Sequence, residues 1–326
     1  MKILYALNGT GSGHITRAHQ LIPHLRKKYD VDILISGCNY IVDVGLEVRY
    51  SFRGFTFAIN KRGKVSYFKS LLSNNIFRFI FDLLRLDLNE YDLIISDFEP
   101  ISAWSSKLKK KPSLQLSHQA SLYSKHSPRP FKKDFKSEFF IKWYSPCDDY
   151  IGFHFHQYDK KILGPLLRDK IINATPIDKE YYVVYLWNYS SEYIVSILSN
   201  ISDYKFTIFD SNASKITSIE NCIIQPTGNE SFLKSIINCT GVICGAGFEL
   251  PAEVLYLRKK LFVIPIGNQY EQDCNAEALI QLGVRSYHEL DNNEIMNWLK
   301  EDKPIPSSIK LGTPDQVLHA IKSNIM

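Results

Sequence analysis

Two glycine-rich segments, one in each half of the chain, have the residues best suited to meet a polar ligand. The first, GTGSGH at 9–14, follows an apolar run at 3–7 and leads into a helix with apolar periodicity. The second, GAGFELPAE at 245–253, follows the apolar run at 242–244 in the same way. Glycines let a backbone approach a ligand closely, and the first turn of a helix offers unpaired N–H groups with a partial positive charge. Two such loops in one chain predict a cleft between two α/β domains.

The first loop lacks the spacing of the commoner nucleotide sites. A P-loop closes G-x-x-x-x-G with Lys-Ser/Thr and a dinucleotide site has G-x-G-x-x-G, whereas the spacing here is G-x-G-x-G. The next apolar run, at 31–35, is followed by Ser-Gly-Cys and so lacks the acidic residue that binds a ribose in NAD enzymes. A nicotinamide dehydrogenase is therefore disfavoured. This loop alone is also consistent with a turn that has only a structural role.

The elements that must position these loops alternate along the chain as apolar runs and helical patterns. This alternation is typical of parallel sheets covered on both faces, so the fold class expected is α/β. The predicted strands lie at 2–7, 31–35, 92–96, 113–117, 149–155, 181–186, 204–209, 221–224, 241–244 and 261–266.

Two residue pairs that contain proline mark boundaries in the chain. The Gly-Pro pair at 164–165 marks a linker, and the Thr-Pro pair at 313–314 marks the N-cap and first position of a last helix. We expect that helix to return to the first domain. The chain then divides into a first Rossmann-like domain, a linker, a second Rossmann-like domain and a C-terminal helix, at 1–162, 163–180, 181–310 and 311–326.

Composition is that of a globular, cytoplasmic protein. The 326 residues are 45% hydrophobic, enough for two ordinary cores, and the net charge is +5. No N-terminal segment reads as a secretion signal, and no apolar run approaches the ~18 residues of a membrane span. The absence of C-x-x-C spacing predicts reduced, mostly buried thiols at Cys38, Cys147, Cys222, Cys239, Cys244 and Cys274.

Three segments and the linker together resemble the glycosyltransferases of the GT-B fold, in particular the branch around MurG and the nucleotide-sugar enzymes of families 1 and 28. The shared residues are GTGSGH at 9–14, GAG-x5-E at 245–253, P-x5-EQ-x2-NA at 265–276 and GP-x2-R at 164–168. A set of uncharacterised microbial glycosyltransferase-like proteins is closer still, through GTGxGHxxRA, GAGFExPAE and QYEQxxNA. The resemblance implies two Rossmann-like domains facing each other across a cleft, and a nucleotide-diphosphate sugar as donor, expected to be a UDP-sugar.

His14 is the candidate base. In an inverting transfer an acceptor hydroxyl attacks C1 of the sugar as the nucleotide diphosphate leaves, so the site needs a base on one side and charge stabilisation on the other. A helix N-terminus disfavours the charged imidazolium, which leaves a neutral base. Asp97 follows the apolar run at 93–96, so we expect it at the cleft edge of the sheet, orienting the imidazole. Glu99 and His118 are rival candidates, and a histidine that only packs or caps is also open.

The second loop is the candidate site for the leaving diphosphate, because N–H groups at a helix start favour an anion without a metal ion. The resemblance implies that Glu253 accepts from both ribose hydroxyls, although a first-turn carboxylate also compensates a helix dipole. It implies further that Glu271 and Gln272 bind the sugar, and the nucleobase is placed near 229–232 by analogy of position. No D-x-D pair follows a strand, so no metal and no separate cofactor are expected. The donor-binding candidates are Gly11, Gly13, Gly245, Ala246, Gly247, Phe248, Glu249, Glu253, Glu271, Gln272, Asn275, Asn229 and Phe232.

One loop departs from the better-known members. Residues 186–190 (LWNYS) follow the first strand of the second domain and lack a Gly-Gly-Ser turn, so the phosphate contacts of the better-known members are not carried over to this loop.

Charge and apolar residues in the first half point to the acceptor. Basic residues concentrate at 107–111 and 129–136, beside an apolar, aromatic helix at 76–86. A basic face next to an apolar helix suits an anionic membrane surface, hence a lipid-linked or cell-envelope acceptor and peripheral attachment at the inner membrane face. A solvated basic face above a core helix is the plain alternative. A nucleic acid, as in enzymes that glycosylate modified bases, is less favoured because no recognisable nucleic-acid module is present.

A second class of function also fits this scaffold, because a fold does not fix an activity. A nucleotide-sugar epimerase or a non-catalytic nucleotide-sugar binder would use the same donor loops. The products separate the cases, since only an epimerase interconverts free nucleotide sugars.

Overall fold

Seven parallel strands form the sheet of the first half, in the order β3-β2-β1-β4-β5-β6-β7. The computed structural model describes residues 1–37, 45–55, 74–301 and 309–325. The strands are Lys2–Asn8 (β1), Asp30–Ser36 (β2), Tyr50–Phe52 (β3), Leu93–Asp97 (β4), Ser113–Ser117 (β5), Asp149–Phe153 (β6) and Ile162–Leu163 (β7).

Helices cover both faces of this sheet, which explains why β1 is apolar at nearly every position. Its odd residues Ile3, Tyr5 and Leu7 are buried in one cluster with residues of α1. Leu4 and Ala6 are buried in another, with residues of α2 and α3. The helices are Ser12–Arg26 (α1), Ile76–Arg85 (α2), Pro100–Lys109 (α3) and Phe135–Tyr144 (α4), with a 3-10 helix at Gln119–Tyr123.

The second half repeats this plan in the order β10-β11-β9-β8-β12-β13-β14. All its pairings are parallel except β10 with β11. The strands are Tyr182–Tyr185 (β8), Phe206–Asp210 (β9), Thr217–Ile219 (β10), Cys222–Pro226 (β11), Gly241–Cys244 (β12), Lys260–Val263 (β13) and Arg285–Ser286 (β14). The helices are Asp169–Ile172 (α5), Ser191–Leu198 (α6), Asn229–Asn238 (α7), Glu249–Tyr256 (α8), Tyr270–Gln281 (α9), Asn292–Lys300 (α10) and Pro314–Ile325 (α11).

The predicted α/β fold is confirmed, and each of the ten predicted strands is present. The strands that sequence patterns missed are β3, β7, β10 and β14, each of two or three residues and each at a sheet edge. So short a strand carries too few residues for an apolar pattern. The predicted start of the last helix is also confirmed, because the Thr313 hydroxyl caps α11 by accepting from the Gln316 N–H at 3.2 Å.

The chain passes between the two halves twice, and the two passages touch. The first follows β7, which pairs with β6 and so extends the first sheet to Leu163; the second leads into α11, which packs against α1 and β6. The Gly312 N–H donates to the Pro165 carbonyl at 3.0 Å. A Cβ at Gly164 would lie 2.0 Å from the Lys310 carbonyl oxygen, so this approach requires glycine.

The structure shows the state of five cysteines and the length of the helices among the described residues. Cys147, Cys222, Cys239, Cys244 and Cys274 are free thiols, and all but Cys147 are buried. Cys38 lies outside the described residues. Among the helices that the structure describes, none is long and apolar enough to cross a membrane.

Candidate functional site

The first glycine-rich loop is fixed by Asn8 and opens onto an uncapped helix. The Asn8 amide donates to the Phe98 carbonyl at 3.0 Å, and its oxygen accepts from the Thr10 N–H at 2.9 Å. Gly11 is the N-cap of α1, and no side chain caps this helix. A Cβ at Gly11 would meet no atom within 4 Å. The start of α1 therefore borders open space into which its N–H groups can donate.

His14 and Asp97 lie together, as the sheet order requires. β1 and β4 are neighbouring parallel strands with Leu7 opposite Asp97, so the loop after one meets the end of the other. His14 Nδ1 is 2.8 Å from Asp97 Oδ1, and both residues are buried. A carboxylate at Nδ1 favours the tautomer with the proton there, which leaves Nε2 free to accept one. Burial would raise the pKa of Asp97, but the nearby Arg17 and His14 lower it below its ordinary value.

Arg17 completes this group and was missed in the sequence as a functional residue. Its Nε and Nη2 donate to both oxygens of Asp97, at 3.0 and 2.9 Å, and its Nη1 donates to Glu249 Oε1 at 2.6 Å. The residue is 2% exposed, and its guanidinium lies 5.3 Å from the centre of the Phe153 ring. The available signal was its spacing, since a residue three positions after His14 lies on the same face of α1.

The second glycine-rich loop faces the first across the two halves. α8 begins at Glu249 with Phe248 as N-cap and no side-chain cap, and a Cβ at Gly247 would meet no atom within 4 Å. A Cβ at Gly13 would lie 3.0 Å from Glu249 Cγ, so glycine allows α1 and α8 to approach closely. Burial raises the pKa of Glu249 to about 7, although the Arg17 charge opposes this rise.

Glu253, the expected ribose ligand, is engaged by the linker. Both of its oxygens accept from Arg168, with Nε at 2.6 Å from Oε1. The Glu253 side chain is 3% exposed and that of Arg168 is 19% exposed. Burial raises the pKa of Glu253 despite this arginine. A ribose at Glu253 must therefore share the carboxylate with Arg168 or displace it.

The three candidates on α9 have different surroundings. Gln272 Oε1 accepts from the Ile266 N–H at 2.9 Å and Asn275 Nδ2 donates to the Ala246 carbonyl at 3.1 Å, so both hold loops of the second half. A Cβ at Gly245 would be 3.5 Å from Gln272 Oε1. Glu271 is the more open of the three, and it accepts from Gln119 of the first half at 3.0 Å. Glu271 is therefore better placed than Gln272 or Asn275 to bind a hydroxyl of a ligand.

The rival candidates for the base are held in structural contacts. Glu99 is buried and caps α3, accepting from the N–H groups of Ile101 and Ser102 at 2.8 and 2.6 Å, so its oxygens are already used. Both ring nitrogens of His118 are in close contacts, with Nδ1 2.8 Å from the Phe153 carbonyl oxygen and Nε2 2.7 Å from Asn275 Oδ1. Burial lowers its pKa.

The His118 ring also connects the two halves. It stacks on Phe248 with ring centres 4.1 Å apart and planes 6° from parallel. Phe248, a predicted donor residue, thus packs against the first half.

The proposed nucleobase region lies at the start of α7. Asn229 begins α7, whose N-cap Gly228 provides no side chain. Phe232 packs edge to face against Tyr185 and Phe209, at 5.2 and 4.9 Å between ring centres. In the loop at 186–190, which differs from that of the better-known members, the Ser190 hydroxyl caps α6. An N–H group at the start of α6 is therefore already bound by a side chain, whereas the start of α8 has no side-chain cap.

The described residues contain no group of three or more His, Cys, Asp or Glu side chains placed to hold a metal ion.

Two helices of the first half expose apolar faces. On α2 the exposed residues recur at helical spacing, and on α4 three of the four recur every fourth position. Lys107 and the ring of Trp104, both on α3, lie against Trp143 of α4, at 5.0 and 6.5 Å from its ring centre. The Tyr270 hydroxyl of α9 donates to Glu138 of α4 at 2.8 Å, so this surface reaches the second half. The exposed apolar residues are Ile76, Phe77, Ile80, Phe81 and Leu84 on α2, and Phe135, Phe139, Phe140 and Trp143 on α4.

Part of the basic charge near this surface has a structural use. Lys109 donates to the carbonyls of Leu84 and Leu86 at the end of α2, and Lys111 donates to two carbonyls of the following loop. Arg129 is held by Glu138 at 2.7 Å and by several carbonyls. Other exposed basic residues on or near these helices are Arg78 and Arg85 of α2, together with Lys107, Lys110, Lys132, Lys133, Lys136 and Lys142.

Comparison with known proteins agrees with this architecture. A family model described as glycosyl transferase family 1 matches residues 1–302. MurG of Acinetobacter baumannii is similar in structure at 12% identity, with 99% of each chain covered and a TM-score of 0.59. The spinosyn forosaminyltransferase SpnP matches at 9% identity, covering 100% of this chain and 99% of its own, with a TM-score of 0.60.

A UGT transferase from Siraitia grosvenorii, solved with UDP, matches at 10% identity over 100% of this chain and 99% of its own, with a TM-score of 0.58. At such identities these structures show the fold alone. No curated protein sequence matches the chain. Since the family model spans nearly the whole chain and both sheets have the arrangement of these structures, the protein is a glycosyltransferase of family 1 with the GT-B fold.

Proposed function

We propose that this glycosyltransferase is inverting and metal-independent, and that it moves a sugar from a UDP-sugar to an acceptor hydroxyl. The observation that carries the proposal is the His14–Asp97 pair at the start of α1, facing the uncapped start of α8. A base lies on one side of the cleft and a cluster of backbone N–H groups lies on the other. An in-line displacement at C1 needs this division.

The chemical step assigns each change to one group. As the oxygen of the acceptor hydroxyl forms a bond to C1 of the sugar, its proton moves to His14 Nε2. The bond from C1 to the diphosphate oxygen breaks. Asp97 holds the imidazolium that results. The leaving diphosphate carries its charge to the N–H groups at the start of α8, which favour an anion.

The choice of a uridine donor is supported by two structural neighbours. The Siraitia enzyme was solved in complex with UDP, and UGT2 of Phytolacca americana was solved with UDP-2fluoro-glucose and pterostilbene. For this chain we assign the diphosphate to the two helix starts and the ribose to Glu253 in competition with Arg168. Glu271 would bind hydroxyls of the sugar.

A lipid-linked acceptor is supported by the apolar faces of α2 and α4. Exposed aromatic residues beside lysines match the acyl boundary and headgroups of an anionic bilayer. Because α4 contacts α9 through Glu138 and Tyr270, an acceptor held in such a bilayer would reach the cleft from its edge. Peripheral attachment at the inner membrane face is part of this proposal.

One experiment tests the reaction. The protein is incubated with UDP-glucose or UDP-N-acetylglucosamine and a bacterial lipid extract, and products are separated by thin-layer chromatography and mass spectrometry. A glycosylated lipid with stoichiometric UDP supports the proposal. Interconversion of the nucleotide sugars without transfer would show an epimerase instead, and nucleotide binding with no product from any donor would show a binder.

A second experiment tests the surface. Sedimentation with vesicles of phosphatidylglycerol and phosphatidylcholine should carry the protein down, and vesicles of phosphatidylcholine alone should not. The pair Phe77→Glu with Phe81→Glu should abolish sedimentation, whereas Ile216→Glu with Ile219→Glu, exposed in the second half, should not. Equal binding by both pairs would contradict the assignment of this surface.

A further inference from the structure

Arg17 is a buried cation that the packing of α1 does not require. Its neighbours Ile15, Ala18 and Leu21 fill the same helix with apolar side chains, and all are fully buried. Removing a guanidinium from water is costly unless its N–H groups are matched by acceptors, and an apolar side chain of similar volume is often as stable. The matched acceptors of Arg17 are Asp97 and Glu249, one in each half of the chain.

Arg17 makes two of the three side-chain hydrogen bonds of Asp97. Its Oδ1 accepts from both His14 and Arg17, whereas its Oδ2 accepts from Arg17 alone among the contacts of the described residues. The pair is side-on and bidentate, a geometry that fixes the plane of the carboxylate as well as its position. Without Arg17, the fully buried Asp97 would lose the charge that keeps it ionised, and with it the ability to accept from His14 in one fixed direction.

Arg17 also contacts His14 directly, with Nη2 3.2 Å from Nδ1, and its remaining contact crosses to the donor half. Nη1 donates at 2.6 Å to Glu249, the first residue of α8, at the place where Gly13 lets the two helices approach. One planar side chain therefore joins the carboxylate behind the base to the helix start assigned to the diphosphate. Opening the halves would break this contact and leave one side of the guanidinium without its acceptor.

We propose that Arg17 is a positioning residue of the transfer reaction, which sets the direction of His14 both by direct contact and through Asp97, and ties that arrangement to closure of the two halves through Glu249. The inference rests on the proposed function, in which His14 is the base. Arg17 itself touches neither acceptor nor donor in this proposal. Its effect belongs to the chemical step, which is sensitive to displacements of about 1 Å.

The variants Arg17→Lys and Arg17→Gln test the Asp97 arm. Lysine keeps the charge but cannot make the planar, bidentate contact. We expect kcat to fall by about 10- to 100-fold in Arg17→Lys and further in Arg17→Gln, with the KM for the UDP-sugar changed by no more than a few-fold. Arg26→Gln, an exposed position at the far end of α1, is the matched control and should keep the kcat of the wild type. A kcat in Arg17→Lys equal to that of the control would overturn the proposal.

A second readout is independent of turnover. With histidine labelled by ¹⁵N in the ring, and the His14 signals assigned from a His14→Gln variant, the wild type should show a single tautomer protonated at Nδ1. Arg17→Lys and Arg17→Gln should lose this single state. If the wild type transfers no sugar, the proposed reaction fails while this signal still tests the positioning; if the His14 signals do not change in either variant, the positioning role fails although transfer is intact.

Glu249→Gln tests the arm that crosses between the halves. Its amide oxygen can still accept from Arg17 but carries no charge, and the Arg17–Asp97 pair is left in place. We expect kcat to fall by about 3- to 10-fold, with the His14 ring signals as in the wild type. An unchanged kcat would remove Glu249 from the proposal.

Discussion

The Arg168–Glu253 pair gives two substitutions with opposite expected effects on nucleotide binding. Glu253 is 2% exposed, and Arg168 donates to both of its oxygens. If the ribose hydroxyls donate to this carboxylate, Glu253→Ala removes their acceptor. The substitution should then weaken UDP binding by about 1.5–3 kcal/mol, or about 10- to 150-fold. Arg168→Ala instead releases the carboxylate from its competitor, so UDP affinity should be unchanged or higher.

The stability of these variants follows from the same contacts. Removing one partner of a buried ion pair costs about 3–5 kcal/mol, and the lower end applies because the Arg168 side chain is 19% exposed to water. Each single substitution should lower the unfolding free energy by about 2–3 kcal/mol. The double variant should cost much less than the sum of the two, because neither charge is then left unpaired.

Calorimetric titration with UDP and urea denaturation measure the two quantities on the four proteins of the cycle. Equal UDP affinity in Glu253→Ala and wild type, with both folded, would remove Glu253 from the donor site. A loss of affinity in Arg168→Ala as large as that in Glu253→Ala would show that the pair acts as a unit and would refute the competition.

Three further predictions concern chemistry and pH. His14→Ala should lower kcat by about 10²–10⁴-fold with little change in UDP affinity, whereas His19→Ala on the same helix should not; a kcat within a few-fold of wild type would end the role of His14 as base. Turnover should survive EDTA, and activity that is lost on chelation and restored by Mg²⁺ or Mn²⁺ would show that an ion stabilises the diphosphate. Burial raises the pKa of Glu249 from 4.5 to about 7, so the folded protein holds this proton more tightly than the unfolded chain does. The protonated carboxyl therefore adds to the free energy of unfolding below pH 4.5, and this contribution is lost as the pH rises through about 7. Urea denaturation between pH 5 and 8 should therefore show a smaller fall in stability with pH for Glu249→Gln than for wild type, and identical slopes would contradict this.

The sequence could predict contacts that follow from sheet order, but not those made by long side chains between residues far apart in the chain. Asp97 was predicted beside His14 because both follow strands whose carboxyl ends share one edge of a parallel sheet, and the two lie 2.8 Å apart. The roles of these residues in catalysis stay predictions. Arg17 and Arg168 stand in recognised motifs, yet their acceptors, Glu249 and Glu253, are separated from them by 232 and 85 residues. Local patterns carry no information about such pairs.

Other differences have local physical causes. Glu99 suited a base by position, but the two N–H groups at the start of α3 and the Ser36 hydroxyl use its oxygens. The lysine run at 107–111 suggested one basic face, whereas the carbonyls at the end of α2 bind Lys109. Of the helix at 76–86, periodicity could predict an apolar face but not that the face would lie toward solvent.

The contact between Gly164 and Gly312 has a mechanical consequence for the whole molecule. Since both connections between the halves meet at this contact, a rotation of one half against the other would have its pivot here. In such a rotation, contacts close to the pivot, such as the backbone hydrogen bond from Gly312 to Pro165, would move least, and contacts far from it would move most. Any change in the angle between the halves would therefore have to be absorbed by the backbone at 164–165 and 310–312, where a Cβ at Gly164 would already lie 2.0 Å from the Lys310 carbonyl oxygen.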